Sequence, residues 1–298
     1  MADTPAETGG VEGGVGLTAL MVAAARAVEA DRPDALARDG YAEHFVRAAR
    51  AFADWPVRLD QVPDGDADPL WGRLGRYFGL RTRVFDDFLL DRAAEGSRQV
   101  VLLGAGLDSR AYRLEWPAGS TVFEIDQAEV LDFKQRVLDE LGDPPRAGRV
   151  AVAADLRLGW AEALVGAGFV PTRPATWLAE GLLLYLPGAA ERSLIDTVDA
   201  HSAAGSALAY EVKTGAEPAA ARRSPIYAAA RDRIGIDLLA LFDGGPRPDS
   251  AAELAARGWS TAVRTPFDFT RRHGRGPLPE EDDALATNRW VFAVRPPA

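Results

Sequence analysis

Four apolar residues of strand character, Val100 to Leu103, run straight into Gly104-Ala105-Gly106. The polar segment Leu107-Asp108-Ser109-Arg110 follows as the expected first turn of a helix. A buried strand, a glycine turn and a helix N-terminus in immediate succession form the ligand-binding edge of a parallel sheet, because backbone without Cβ atoms lets a ligand approach closely. The text downstream keeps the same rhythm. Thr121 to Ile125, Val150 to Ala153, Thr176 to Ala179 and Ala207 to Val212 read as strands two to five. Between them lie helical stretches at Ala128 to Leu141, Trp160 to Ala167 and Glu191 to Ser202. Such alternation implies an α/β fold, a parallel sheet covered by helices on both faces.

The flanks are less regular. Leu17 to Ala30 is rich in helix formers, with Thr18 as its expected cap, and Ala35 to Phe52 continues in helical style with a break at Asp39-Gly40. Asp54 to Pro69 carries loop chemistry, and Pro69 to Ala94 returns apolar residues at helical spacing. After the fifth strand, Lys213 to Asp249 is too long for a simple connection; Pro225 to Phe242 within it reads as helix, and the segment is expected to form a lid or substrate wall. Ala251 to Arg257 reads as a short helix, Trp259 to Val263 as a strand, Arg271 to Pro279 as a basic glycine-rich loop and Trp290 to Val294 as the last strand. The expected organisation is a disordered lead-in over 1–16 and one domain over 17–298, with a helical N-terminal cap over 17–95 and the lid insertion over 213–249.

Composition narrows the function. Against 34 basic residues stand 44 acidic ones, and the net charge of -10 has the wrong sign for a nucleic-acid or anionic-membrane binder. There is no cysteine, and the three histidines (His44, His201, His273) are not at metal-ligand spacing, so no metal site is expected. The acidic, glycine-rich N-terminus has no apolar core of the kind a signal peptide carries, and no run reaches the roughly 18 apolar residues of a membrane helix. The expectation is a cytoplasmic protein with a small-molecule partner.

The glycine turn selects among cofactors. A dinucleotide fingerprint wants glycine or alanine where this chain has Ser109, and the Asp108 carboxylate would repel a pyrophosphate at the helix start. A cofactor without phosphates fits better than NAD or FAD. Glu124 and Asp126, at the end of the second strand, lie 20 and 22 residues past Gly104, where an acid can chelate ribose hydroxyls. Alternate strand residues point the same way, so one of the two is expected on the ribose and the other in support. Asp155 follows the third strand, where its carboxylate suits an adenine amine with Leu156 over the ring; it would serve equally as a helix cap. Glu180 ends the fourth strand, an acid in an apolar run that buries charge reluctantly, and suits an ammonium or sulfonium. Arg81 and Arg26, in the helices before the sheet, are candidates for a cofactor carboxylate. Adenine, ribose and a cationic, phosphate-free tail describe S-adenosylmethionine.

Taken together, LGAGLDSRAYRL, FEID, Asp155-Leu156, AEGLLLYLP and YFGLRTRVFDDFLL resemble the leucine carboxyl methyltransferase-like group of class I S-adenosylmethionine-dependent methyltransferases, above all its bacterial branch. The resemblance implies a Rossmann-like seven-stranded sheet, mostly parallel, with the last strand antiparallel. It places Gly104, in the same turn as Gly106, against the methionine portion of the cofactor, Asp126 on the ribose, Asp155 and Leu156 at the adenine and Glu180 at the methionine end. Arg81 takes the position that pairs with the cofactor carboxylate, and Arg26 a position held by lysine in eukaryotic members. Where relatives read Asp-Pro, this chain has Asp39-Gly40. The implied reaction is in-line O-methylation of a secondary-metabolite carboxylate or hydroxyl. A carboxylate needs no base; a hydroxyl does, with His201, His273 and Tyr185 as candidates. Arg271, Arg272 and Arg275 form either a solvated loop or an attractor for an acidic acceptor. The rival functions are methylation of a protein C-terminus, an NAD-dependent oxidoreductase, which Asp108 and Ser109 disfavour, and non-catalytic cofactor binding.

Overall fold

A computed structural model describes residues 13–214 and 218–297. Most of the expected disordered lead-in therefore lies outside the described residues, but its last residues do not: helix α1 (Gly14–Ala30) already contains Gly16. Thr18 consequently sits inside the helix, buried, instead of capping it. The rest of the N-terminal region is α2 (Ala42–Ala48), short 3₁₀ turns and the long α3 (Trp71–Ala94). The break expected at Asp39-Gly40 is wider than expected and takes in Ala35 to Tyr41, where Asp39 turns its carboxylate onto the Tyr41 amide at 3.1 Å. Such a side-chain-to-backbone bond competes with helix formation.

Next come β1 (Gln99–Leu103), α4 (Arg110–Arg113), β2 (Thr121–Asp126), α5 (Ala128–Leu141), β3 (Gly148–Ala153), α6 (Trp160–Gly166), β4 (Ala175–Ala179), α7 (Gly188–Ala200) and β5 (Ala207–Lys213). The chain then forms α8 (Pro225–Ile234), α9 (Leu238–Leu241), α10 (Ser250–Ala256), β6 (Ser260–Arg264), α11 (Pro266–His273) and β7 (Asn288–Val294). The single helix expected over Pro225 to Phe242 is two, split where Gly235 adopts a left-handed φ of +68°. The expected loop from Arg271 begins inside α11, whose start is closed by reciprocal bonds between Thr265 and Asp268.

The seven strands lie in the order β3-β2-β1-β4-β5-β7-β6. β7 pairs antiparallel with both neighbours, and every other pairing is parallel, as expected. Side-chain alternation splits the core into two layers. Val100, Leu102, Val122, Leu178 and Ala209 face α1, α3 and α5, whereas Val101, Leu103, Phe123, Trp177 and Leu208 face α6, α7 and α10. Among the described residues, no helix is long and apolar enough to cross a membrane.

One charge is set inside this core. Glu124 of β2 is fully buried, and its Oε2 lies 2.9 Å from Lys134 of α5 and 2.8 Å from Arg149 of β3. Three charged groups removed from water hold one another only while all are present. Glu124→Ala leaves the buried Lys134 ammonium without its carboxylate and should cost about 3–5 kcal/mol, to be read from urea unfolding followed by circular dichroism. A loss within experimental error of zero would mean that water reaches this triad.

Candidate active site

β1, β2, β3 and β4 all end on one edge of the sheet, and at that edge a cavity of about 780 Å³ opens. It sits where the strand order reverses between β1 and β4, the position at which open α/β sheets leave a crevice. Each strand delivers one feature of the rim: Gly104 after β1, Asp126 at the end of β2, Asp155 after β3 and Glu180 after β4. Arg26 of α1, Arg81 of α3, Gly106 and Leu156 line the same cavity.

The glycine turn is built for close approach. Gly104 and Gly106 have φ of +66° and +49°, and a Cβ on Gly104 would stand 3.0 Å from Leu182. The Asp126 carboxylate closes the turn by accepting from the Gly106 amide at 2.6 Å and from Gln127 at 2.7 Å. Burial pushes its carboxyl up despite those two bonds. From the other side Arg26 donates to Leu107 O at 2.7 Å and pairs with Asp39 at 3.3 Å, while Ser109 donates to Asp39 at 2.7 Å. Asp39 thus ties α1 to the glycine turn.

The helix expected to start at Leu107 starts at Arg110 and has one turn. Asp108 is buried and accepts from the Arg110 amide at 2.7 Å while pairing with the Arg110 guanidinium. Its charge is taken up inside the protein. Burial alone would raise the Asp108 carboxyl, but Arg110, with Lys134 and Arg113 behind it, outweighs burial and holds it at about 2.

Arg110 is fully buried and also reaches Asp86 at 2.7 Å and Glu180 at 2.7 Å. The second oxygen partner of Glu180 is Arg81, whose Nε donates at 2.8 Å. Arg81 in turn donates from Nη1 to Glu211 of β5 at 2.6 Å and lies 4.5 Å over the Phe78 ring. Glu211 is fully buried and accepts from Tyr77, from Asn288 at 3.1 Å and from the Trp290 indole at 3.3 Å. Burial pushes the Glu180 carboxyl up, and the Arg110 and Arg81 guanidiniums overcome that and hold it below the usual range. The Arg110 contact to Glu180 Oε2 is close but not aligned as a hydrogen bond, which leaves that buried oxygen an unused acceptor position.

The sequence reading placed Glu124 beside Asp126 at the ligand. The structure does not bring it there: two residues back along β2, about 7 Å deeper, it is closed off by Lys134 and Arg149. Asp155 does reach the rim, but its carboxylate is chelated by Arg157 at 2.6–3.0 Å, which lowers its pKa. Of the three candidate bases, Tyr185 lines the cavity and the two histidines do not. His201 sits at the end of α7 with Nδ1 2.8 Å from Thr197 O, and His273 ends α11. Arg271 and Arg275 pair with Asp268 and Asp34, away from the cavity. The residues that sequence reasoning missed are Arg110, Glu211, Tyr77 and Asn288. Arg110 stood inside the quoted motif, and Glu211 in AYEVK carries the same signal as Glu180, an acid in an apolar strand.

Residues 19–199 match the family model described as leucine carboxyl methyltransferase. A Streptomyces coelicolor protein named for S-adenosyl-L-methionine-dependent methyltransferase activity is 65% identical over 280 residues, spanning 93% of this chain and 92% of that protein. The chain belongs to the leucine carboxyl methyltransferase family. A Mycolicibacterium gilvum relative with the same type of name is 43% identical over 93% of both chains. In fold alone the chain resembles a Thermobifida fusca crystal structure titled as a methyltransferase (TM-score 0.53, 15% identity, 85% of this chain and 94% of that one). It also resembles a Streptomyces avermitilis protein at TM-score 0.52 and 14% identity, covering 85% of this chain and 97% of that one.

Tested against the methyl donor named for these relatives, this member of the family fits. The cradle at Gly104 is one that a Cβ would fill, the acid at the end of β2 faces the cavity, and the buried Glu180 oxygen retains an acceptor position toward a cation. One consequence concerns Asp108 alone. Its carboxyl is depressed in the folded state, so it stabilises the fold above the unfolded carboxyl pKa of about 3.9 and loses that contribution as pH falls towards 2. Asp108→Asn should therefore flatten the acid limb of unfolding free energy between about pH 4 and pH 2, measured by denaturant titration at stepped pH.

Proposed function

We propose that this S-adenosylmethionine-dependent methyltransferase transfers its methyl group to the carboxylate of a small-molecule acid. The observation that carries this reading is the lining of the cavity beyond Glu180. Among the described residues no imidazole lines it, and burial raises the phenols of Tyr185 and Tyr77 there. The Glu211 carboxylate faces the same space with its lone pairs engaged by Tyr77, Arg81, Asn288 and Trp290. A hydroxyl acceptor would have no ready group to give its proton to; a carboxylate arrives already ionised.

In this reading Asp126 takes the ribose hydroxyls and Asp155 the adenine amine, with Leu156 against the ring. Asp155 must exchange its bonds to Arg157 for that contact, an exposed pair of small net worth. Gly104 lets the methionine portion lie against the backbone. Arg81, preset by Glu180 and Glu211, answers the cofactor carboxylate, and Glu180 answers its cationic groups. Arg26 holds the glycine turn through Leu107 O. Glu124 acts from beneath, keeping β2 in place under Asp126. When bound, the donor supplies an electrophilic methyl on a cationic sulfur. The protein's part is alignment and exclusion of water, which can be worth about 7–11 kcal/mol without any proton transfer. The acceptor is read as a metabolite rather than a protein C-terminus because the cavity is walled by apolar side chains from α3, α8 and α9.

Two measurements test this. Asp126→Ala should weaken S-adenosylhomocysteine binding about tenfold or more in calorimetry, the equivalent of a lost charge-assisted hydrogen bond; unchanged affinity would remove Asp126 from the ribose. With saturating donor, the rate on a carboxylic acceptor should be level from about pH 6 to pH 9, above the acceptor's own pKa. A limb rising through neutral pH would show that the transfer needs a base and would overturn this reading.

A further inference from the structure

Beyond Glu180 the cavity changes character. Its wall there is formed by rings on three separate elements: Tyr77 and Phe78 of α3, Tyr185 after β4, and Tyr227 and Phe242 from the segment after β5. Tyr185 and Phe242 are stacked with centroids 5.9 Å apart and planes inclined by 27°. Tyr227 meets Phe242 edge-on at 6.5 Å. The Lys213 ammonium lies 5.1 Å over the Phe242 ring, so that ring is polarised by a cation as well as packed against other rings. Ile226 and Leu238 line the same cavity.

An apolar chamber alone would accept any hydrocarbon. What distinguishes this one is that the rings are fixed by one another and drawn from elements far apart in the chain. All of them line the space beside the proposed methyl donor. Aromatic groups prefer edge-to-face and offset contacts over random apolar packing. The charged groups on the floor of the chamber do not call for a polar body in the acceptor, because Arg81 is engaged by Glu180 and Glu211 and the open acceptor position on Glu180 is assigned to the donor's cation. We propose that the acceptor is an aromatic carboxylic acid, its ring seated against Phe242, Tyr185 and Tyr227, and that Phe242 determines this specificity. The proposal rests on the donor reading above and narrows its acceptor.

The test uses the full chain and begins with calorimetric binding of S-adenosylhomocysteine. The loaded protein is then titrated with three acids: 3-phenylpropanoate, 3-cyclohexylpropanoate, which has the same size but no π face, and adipate, which has a second charge. The phenyl acid should bind about threefold or more tighter than its cyclohexyl counterpart and at least about tenfold tighter than adipate. Phe242→Ala should weaken the phenyl acid about fivefold or more while S-adenosylhomocysteine affinity stays within about twofold. Phe242→Leu keeps the apolar volume and should erase the preference for phenyl over cyclohexyl, which gives the same answer if the alanine variant does not fold. Equal or tighter binding of the cyclohexyl acid or of adipate, no binding of the phenyl acid, or an unchanged preference in Phe242→Leu would overturn the aromatic class and leave the donor reading standing. Failure of the wild type to bind S-adenosylhomocysteine would overturn the donor reading and this proposal with it.

Discussion

A chain of alternating charges runs through the interior from Asp86 to Arg110, Glu180, Arg81 and Glu211. Its members come from α3, the start of α4, the end of β4 and β5, four pieces of chain that only the finished sheet brings together. Arg81 sits between two carboxylates and Arg110 among three, Asp108 included, so withdrawing a link strands a buried charge. Ion pairs of this kind add little net stability against an apolar replacement, because the cost of drying the charges offsets their attraction. What they do supply is position. α3 can meet the sheet in only one rotation that puts Tyr77 and Arg81, one turn apart, on Glu211 and Glu180 at once.

That constraint explains how the cavity acquires fixed walls. The glycine turn is held from beneath by Asp126 on the Gly106 amide and from above by Arg26 and Asp39. The loop after β4 is held by Arg247, whose guanidinium reaches the carbonyls of Leu184 and Leu186 at 3.0 and 2.9 Å. A methyl transfer that depends on alignment benefits from polar groups already in place before ligand arrives, since ordering them later would oppose binding.

Much of this was legible from local rules. Strand ends, glycine turns and the antiparallel last strand follow from short-range pattern or from family resemblance, and they fell within a residue or two of the structure. The misses have physical reasons. Glu124 and Asp126 are equivalent in register, but burial separates them: one stops at the rim and the other lies under α5, a depth no spacing encodes. Arg81 reads as a lone cation because its two carboxylates are 99 and 130 residues away. The capping box of α11, Thr265 with Asp268, was present in the sequence, and the basic residues after it masked the helix. Gly235 broke a helix whose apolar periodicity continues on both sides of it.

The halves of the cavity proposed for donor and acceptor have different origins. The donor half is drawn from strand ends whose positions the parallel sheet dictates. The acceptor half is drawn from α3 and the segment after β5, whose latches, Arg233 to Asp68 at 2.6 Å and Arg223 to Asp282 at 3.0 Å, lie at its edges. Residues along α8 and α9 can therefore change without touching the charge chain, whereas a change at Arg81 also reaches the wall, because its guanidinium lies over the Phe78 ring. In the proposed reading, a scaffold arranged this way can hold one cofactor geometry while its acceptor wall changes. It is also why sequence likeness identifies the donor more readily than the acceptor.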